Sequence, residues 1–188
     1  MKLRQNEHSP PSPAQRSDTV IVWDRFIRFF HWGLVIAVLL AHFTHGGLLS
    51  AHRVAGYAAL LLVVARLAWG LVGGRHARFL DFLPRPQAFY SYLRAFLLRR
   101  EPRFLGHNPL GALMIVLLLS FVVILGITGW MLDSPNYRDF RPLQNLHAMA
   151  ADLFVGAIVV HVIGALYASW HHRENLIWAM LSGKKRAE

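Results

Sequence analysis

The chain has 188 residues, is 55% hydrophobic and carries a formal charge of +10 at pH 7. Those values exclude a polar disordered chain and favour a single membrane domain over a soluble globule. Cysteine is absent, which excludes disulfides, cysteine-held iron-sulfur clusters and covalent C-x-x-C-H haem attachment on this chain. The positive charge is not a nucleic-acid signal, because the basic residues sit between long apolar runs rather than along one polar face.

Residues 1–20 read as a mobile tail, since Met1 to Asp18 show no apolar periodicity. Residues 21–174 read as the membrane domain and 175–188 as a C-terminal segment. The first apolar run, Ile27 to Gly47, is too long for a signal-peptide core and has no convincing cleavage site after it. It is taken as the first span. Further spans are expected over His52–Gly73, Pro109–Leu132 and His147–Trp170. The fold class expected is therefore an all-α membrane protein built as a four-helix transmembrane bundle.

Between the second and third spans, Phe89, Leu93, Phe96 and Leu97 recur at helical spacing among Arg94, Arg99 and Arg100. That pattern predicts a short amphipathic helix on the membrane surface, and Glu174–Arg186 is given the same reading. Sixteen Lys and Arg flank the spans on the side of the termini, against Arg53, Arg138 and Arg141 on the other. The positive-inside rule then puts both termini in the cytoplasm, as for a bacterial inner-membrane protein. The six tryptophans fall near predicted span ends, as an interfacial belt requires.

Histidines carry the chemistry. His147 and His161 stand fourteen positions apart on one predicted helix, so they share a stripe and lie about 21 Å apart along it. A hydrocarbon layer is about 30 Å thick, which sets one imidazole near each face. Two stacked haems need that from a helix. His31 lies just inside the termini-side end of the first span, and antiparallel packing brings it to the depth of His161, so the two fill both axial positions of one iron. His147 has three competing partners: His42, His45 and His52. Spacing slightly favours His45, fourteen residues from His31. His8, His76, His107, His171 and His172 read as solvated or interfacial.

Arg66 lies fourteen residues beyond His52, at the depth of His31 and His161. It either meets a haem propionate or snorkels to the headgroups. The glycines near the proposed ligands admit a flat macrocycle or simply pack helices, and discriminate little. Asp133, Tyr137, Arg138 and Asp139 read as ordinary polar loop residues, with proton handling or cytochrome docking as the alternative.

The stretches Val22-WDRFIRFFHWG, His52-RVAGY, Arg66-LAWG, Gly106-HNPLGALM and Trp170-HHRENLIWAM, with the His147/His161 pair, together resemble the bacterial cytochrome b561 family, which includes b-type cytochrome subunits of nickel-iron hydrogenases. The resemblance covers nearly everything from Val22 to Arg186. It implies two non-covalent haem b groups with ligands from the first, second and, twice, fourth helix. Carried over by position, these are His31, His52, His147 and His161, paired by depth as His31/His161 and His52/His147. It further implies electron exchange between membrane quinone and a redox protein, such as a periplasmic c-type cytochrome. The chain shows no hydrogenase-type extension, which ranks a hydrogenase-bound role below a shorter quinone-linked cytochrome. A haem-free ion or proton transporter using the same histidines is the competing class, although helix interiors lack carboxylates before Asp152. A third reading makes the bundle only a membrane anchor for a soluble oxidoreductase.

Overall fold

The computed structural model describes residues 19–74 and 77–187. The tail reading of residues 1–18, with His8, lies outside them, as does the loop residue His76. Among the described residues four helices are long and apolar enough to cross a membrane: α1 (Arg25–Thr44), α2 (Leu49–Val72), α5 (Pro109–Asp133) and α6 (Arg141–His171). Three short helices, α3 (Phe79–Phe82), α4 (Pro86–Leu97) and α7 (Leu176–Ser182), and two three-residue strands, β1 (Thr19–Ile21) and β2 (Lys184–Arg186), complete the order. The expected bundle of four spans is present, with boundaries shifted by a few residues.

The helix starts follow from local chemistry. Asp24 caps α1 by accepting the Ile27 N–H at 2.8 Å, and Asn108 caps α5 by accepting the Gly111 N–H at 2.7 Å. Pro109 and Pro142 occupy first-turn positions, where a missing N–H costs nothing. That proline explains why the last span starts at Arg141 rather than His147. At 31 residues and about 1.5 Å per residue, α6 is longer than the hydrocarbon layer.

The bundle packs as neighbours α1 on α2, α2 on α5, and α5 on α6. Its centre holds Phe30, Ala37, Ala59, Val63, Leu119, Val122 and Phe154. In lipid, apolar side chains gain little by meeting each other rather than acyl chains, so close approach of small residues matters more. Gly126 shows this: a Cβ there would lie 2.8 Å from a Leu60 methyl. The buried face of α2, Ala55, Ala59, Val63, Arg66 and Gly70, repeats every three or four residues. Large side chains elsewhere, such as Phe43, Leu61 and Val160, stay exposed, as a lipid-facing surface requires.

The end carrying the termini is more built than the sequence suggests. β1 and β2 pair antiparallel, with Val20 opposite Lys185, and the N–H groups of Val22 and Trp23 donate to the Gly183 carbonyl. Gly183 ends α7 in the left-handed region, φ 81°, against the Trp23 carbonyl. The C-terminal segment is thus a short helix followed by a strand clasped to the N-terminal side, rather than one helix lying on the membrane surface.

Glu174 fastens this clasp. It pairs with Arg103 at 2.9 Å and Lys185 at 3.6 Å and accepts the Arg186 N–H at 3.0 Å. Burial opposes charge on the Glu174 carboxyl, but the Arg103 and Arg186 hydrogen bonds and the two cations hold it below its ordinary value. The Lys185 ammonium, buried at 6% exposure, is pushed down by desolvation despite Glu174. It donates to the carbonyls of Phe104 and Leu105.

The tryptophan belt is partial. Trp130, Trp170 and Trp178 are exposed, but Trp23 is buried against His107 and Trp69 donates to the Asp24 carboxylate at 3.1 Å. Those two hold the cap together rather than sit in headgroups.

Candidate functional site

The buried stripe of α6 runs through Ala150 and Phe154, and His147 and His161 flank it at the same helical spacing. Among the described residues, α6 makes hardly any close backbone approach to α1 or α2. Across that interval His147 of α6 faces His52 of α2.

At the end away from the termini, His52 and His147 bring their ring centroids to 6.3 Å, with ring planes 75° apart. A metal–imidazole bond of about 2 Å, plus about 1 Å from nitrogen to ring centre on each side, requires about 6 Å between two axial rings. Rotation about the ligand axis is free, so the angle between planes is no obstacle. The separation therefore fits one iron between two imidazoles.

Their other nitrogens are held. His52 Nδ1 lies 2.8 Å from the Ala41 carbonyl, which can only accept, so Nδ1 carries the proton and Nε2 the lone pair. His147 Nδ1 is 2.7 Å from Thr128 Oγ1, whose own proton goes to the Ile124 carbonyl at 2.8 Å. Nδ1 of His147 is again the donor, and Nε2 is left to ligate. Such outer partners fix the tautomer and orientation of metal-binding histidines. Gly129 makes room for the His147 ring, since a Cβ there would lie 3.3 Å from Cε1.

The competitors of His52 stand elsewhere. His42 and His45 are exposed at the end of α1, and His45 Nδ1 contacts the His42 carbonyl. The structure brings His52 to His147 and leaves these two apart.

Toward the termini, His31 and His161 are both half-buried. Among the described residues His31 Nδ1 is buried with no hydrogen-bond partner. Arg66, 3% exposed, donates to the Ala77 carbonyl at 2.9 Å and lies 4.7 Å over the Phe79 ring. It reaches the protein cap rather than the headgroups, and among the described residues its Nη1 is buried without a hydrogen-bond partner. A buried guanidinium N–H of this kind suits a carboxylate such as a haem propionate. The His52/His147 pair thus fits an iron between its rings, and Arg66 offers a donor suited to a propionate. A cavity of about 550 Å³ lies between α1 and α2 around Ala37, Ala55 and Ala58. It is lined mainly by apolar side chains and contains none of the histidines.

Three of the histidines read as solvated are packed. His107 meets Trp23 at 4.6 Å, His171 stacks on Tyr167 at 5.6 Å, and His172 meets His171 edge-on at 5.0 Å. Desolvation and the charge of His171 lower the His172 imidazole. Sequence reasoning missed Thr128 and the Ala41 carbonyl, and named Gly129 only among the glycines near the proposed ligands. A hydroxyl inside the apolar run of α5 was the available signal for Thr128; a backbone carbonyl leaves none.

A sequence model of the prokaryotic cytochrome b561 family matches residues 22–183. Probable Ni/Fe-hydrogenase B-type cytochrome subunits are similar over most of their length. The Bradyrhizobium diazoefficiens protein is 25% identical, covering 89% of this chain and 86% of its own. That of Rhodobacter capsulatus is 24% identical over 91% and 83%, and that of Cupriavidus necator 25% over 86% and 85%. No solved structure gives a significant match. With four membrane-length helices, the His52/His147 pair spaced for an iron and a family match over residues 22–183, the chain belongs to the prokaryotic cytochrome b561 family of membrane electron-transfer proteins that use haem b.

Proposed function

We propose that the chain binds two haem b groups, one held by His52 and His147 and the other by His31 and His161, and passes electrons between them across the bilayer. The observation that carries this is the 6.3 Å approach of His52 and His147 with both Nδ1 atoms engaged. When bound between two histidines, haem would supply a one-electron iron couple suited to outer-sphere transfer rather than oxygen activation.

The protein's own residues do the rest. The Ala41 carbonyl and Thr128 hydroxyl orient the His52 and His147 rings and set their basicity. Arg66 offers its unpaired Nη1 to a propionate near His31 and His161. The apolar side chains between the two levels, Phe154 and Val63 among them, exclude water from the electron path. Sixteen flanking cations favour the termini on the cytoplasmic side of a bacterial inner membrane, which makes His31/His161 the inner pair. Moving one electron across the full field involves about 2.3 kcal/mol per 100 mV.

The exchange partners in this reading are membrane quinone and a redox protein. The names of the relatives point to a hydrogenase as that protein, and because this chain spans 83–86% of their lengths, length no longer ranks the hydrogenase role below a c-type cytochrome partner. The test is the haem content of protein purified with ample haem supply. Two haem b per chain, low-spin by electron paramagnetic resonance, is the expected result; one or none refutes the assignment. A haem-free transporter or simple anchor would be colourless.

A further inference from the structure

We infer that the outward face of α6, centred on Asp152, is the seam of a parallel two-fold dimer in which each Asp152 carboxyl is hydrogen-bonded to its mate in a second copy of this chain. Asp152 lies five residues beyond His147 on α6, about 7.5 Å further into the bilayer. The His147 level is itself inside the spans, because α5 continues for more than a turn beyond Thr128, its partner at that level. The one-carbon stem of an aspartate cannot carry its carboxyl from there to the headgroups, as the long stems of Lys and Arg can. A carboxyl left alone in hydrocarbon is costly, so such residues turn inward or meet a partner.

Asp152 does neither within one chain. The buried stripe of α6 is Leu143, Ala150 and Phe154, and Asp152 stands almost directly opposite it, about 140° round the helix from His147. It is exposed, and among the described residues it has no hydrogen bond or ion pair. The residues around it are laid out for a helix partner. Asn145, Asp152 and Val159 recur every seven residues, with Met149, Gly156 and Ile163 four positions after each, and all six are exposed. That is the spacing of a left-handed helix pair, in which two seam positions repeat together along each helix. A Cβ at Gly156 would meet no atom within 4 Å, so this glycine is not needed for packing inside one chain. One turn from Asp152, it lets a second helix come close enough for the carboxyls to bond.

The occupant follows from symmetry. Copies inserted in one membrane share an orientation, so two α6 helices run parallel and each first seam position faces its own counterpart. Asp152 then meets the Asp152 of the second copy, and Asn145 meets its Asn145 near the outer edge. A carboxyl that carries a proton both donates and accepts, as an amide does, so each polar residue is satisfied by an identical mate. A single polar residue at this seam position is also what fixes register and limits the assembly to two. His147 and His161 lie on the far side of the helix, so each copy keeps its own histidine pairs.

The test uses the full haem-loaded chain, in bacterial membranes for cross-linking and in lipid-supplemented detergent for mass by light scattering. Because the chain has no cysteine, Val159→Cys places a single thiol at the seam. Oxidation is expected to join two copies, since facing seam positions bring Cα atoms within the roughly 4.4–6.8 Å that a disulfide spans. Leu153→Cys, next to Asp152 but off the seam, is expected to give no covalent dimer. Asp152→Asn keeps a donor and an acceptor and should stay dimeric, whereas Asp152→Leu should raise the dimer dissociation constant about tenfold. Gly156→Leu should do the same by holding the helices apart. Its side chain enters open space in the single chain, so the haem spectrum should stay unchanged. A monomeric unaltered protein, equal cross-linking from Leu153→Cys, loss of the dimer in Asp152→Asn, or unaltered dimerisation in Asp152→Leu or Gly156→Leu overturns the inference. So does a Val159→Cys adduct with another protein in place of the covalent dimer.

Discussion

Thr128 and His147 are joined across α5 and α6 by a 2.7 Å hydrogen bond between Oγ1 and Nδ1. Because the hydroxyl proton is committed to the Ile124 carbonyl, the bond makes the imidazole a stronger electron donor through Nε2. A more basic ligand favours ferric over ferrous iron. Thr128→Val removes the acceptor at nearly constant volume, so the potential of the haem held by His147 should rise. A tenfold change in relative affinity for the two oxidation states corresponds to about 59 mV for one electron, and a rise of this order is expected. Redox titration of the two haem bands checks it; a change in the other haem alone would contradict the assignment.

Ligand substitutions separate the two levels. His31→Ala or His161→Ala should remove one haem and leave the other, and the same holds for His52→Ala or His147→Ala. His45→Ala should leave both, because its ring is held at its own helix end beside the His42 carbonyl. Pyridine haemochrome assay against protein concentration reads each result directly. Loss of a haem in His45→Ala with retention in His52→Ala would reverse the choice between them.

The contrast between His45 and His52 shows where the sequence stops being informative. A spacing of fourteen residues is a statement about one helix, and it placed His147 and His161 on a common stripe without help from neighbours. Choosing between His45 and His52 needs the relation of two helices: α1 ends at Thr44, so His45 caps it, whereas His52 is already inside α2 with its Nδ1 on the Ala41 carbonyl. The four spans were legible because lipid demands long apolar helices. The clasp of β1 and β2 was not, since three-residue strands carry no periodicity and their pairing joins opposite ends of the chain. Arg66 was legible as a buried charge but not in its contacts, which come from Ala77 and Phe79 in the segment beyond α2.

Gly70 controls where Arg66 rests. A Cβ at this position would lie 2.1 Å from the Phe79 ring, which is rigid and has to move as a whole. Gly70→Ala should therefore move Phe79 and disturb the Arg66 guanidinium that lies over it. Overpacking of this kind costs about 1–3 kcal/mol. The expected outcome is a lower melting temperature in detergent, together with a spectral change confined to the haem near His31 and His161. Gly56→Ala, where no atom lies within 4 Å of the added carbon, should change neither.

The clasp at the termini should weaken in acid, and the sign follows from Glu174. Its carboxyl is held below its ordinary value in the folded chain by hydrogen bonds from Arg103 and Arg186 and by the Lys185 charge, against the opposing effect of burial. A group whose folded value is depressed contributes stability fully above its unfolded value, about 4.3 for glutamate, and loses that contribution as pH falls through the lower folded value. The amides of Lys184 to Arg186 should thus exchange hydrogen slowly near neutrality and increasingly fast below about pH 4, once corrected for the intrinsic pH dependence of exchange. Glu174→Gln keeps the shape but not the charge, leaving Lys185 buried beside a neutral partner. It should speed exchange at neutral pH and flatten the acid response. An acid response unchanged in Glu174→Gln would assign the transition to another group.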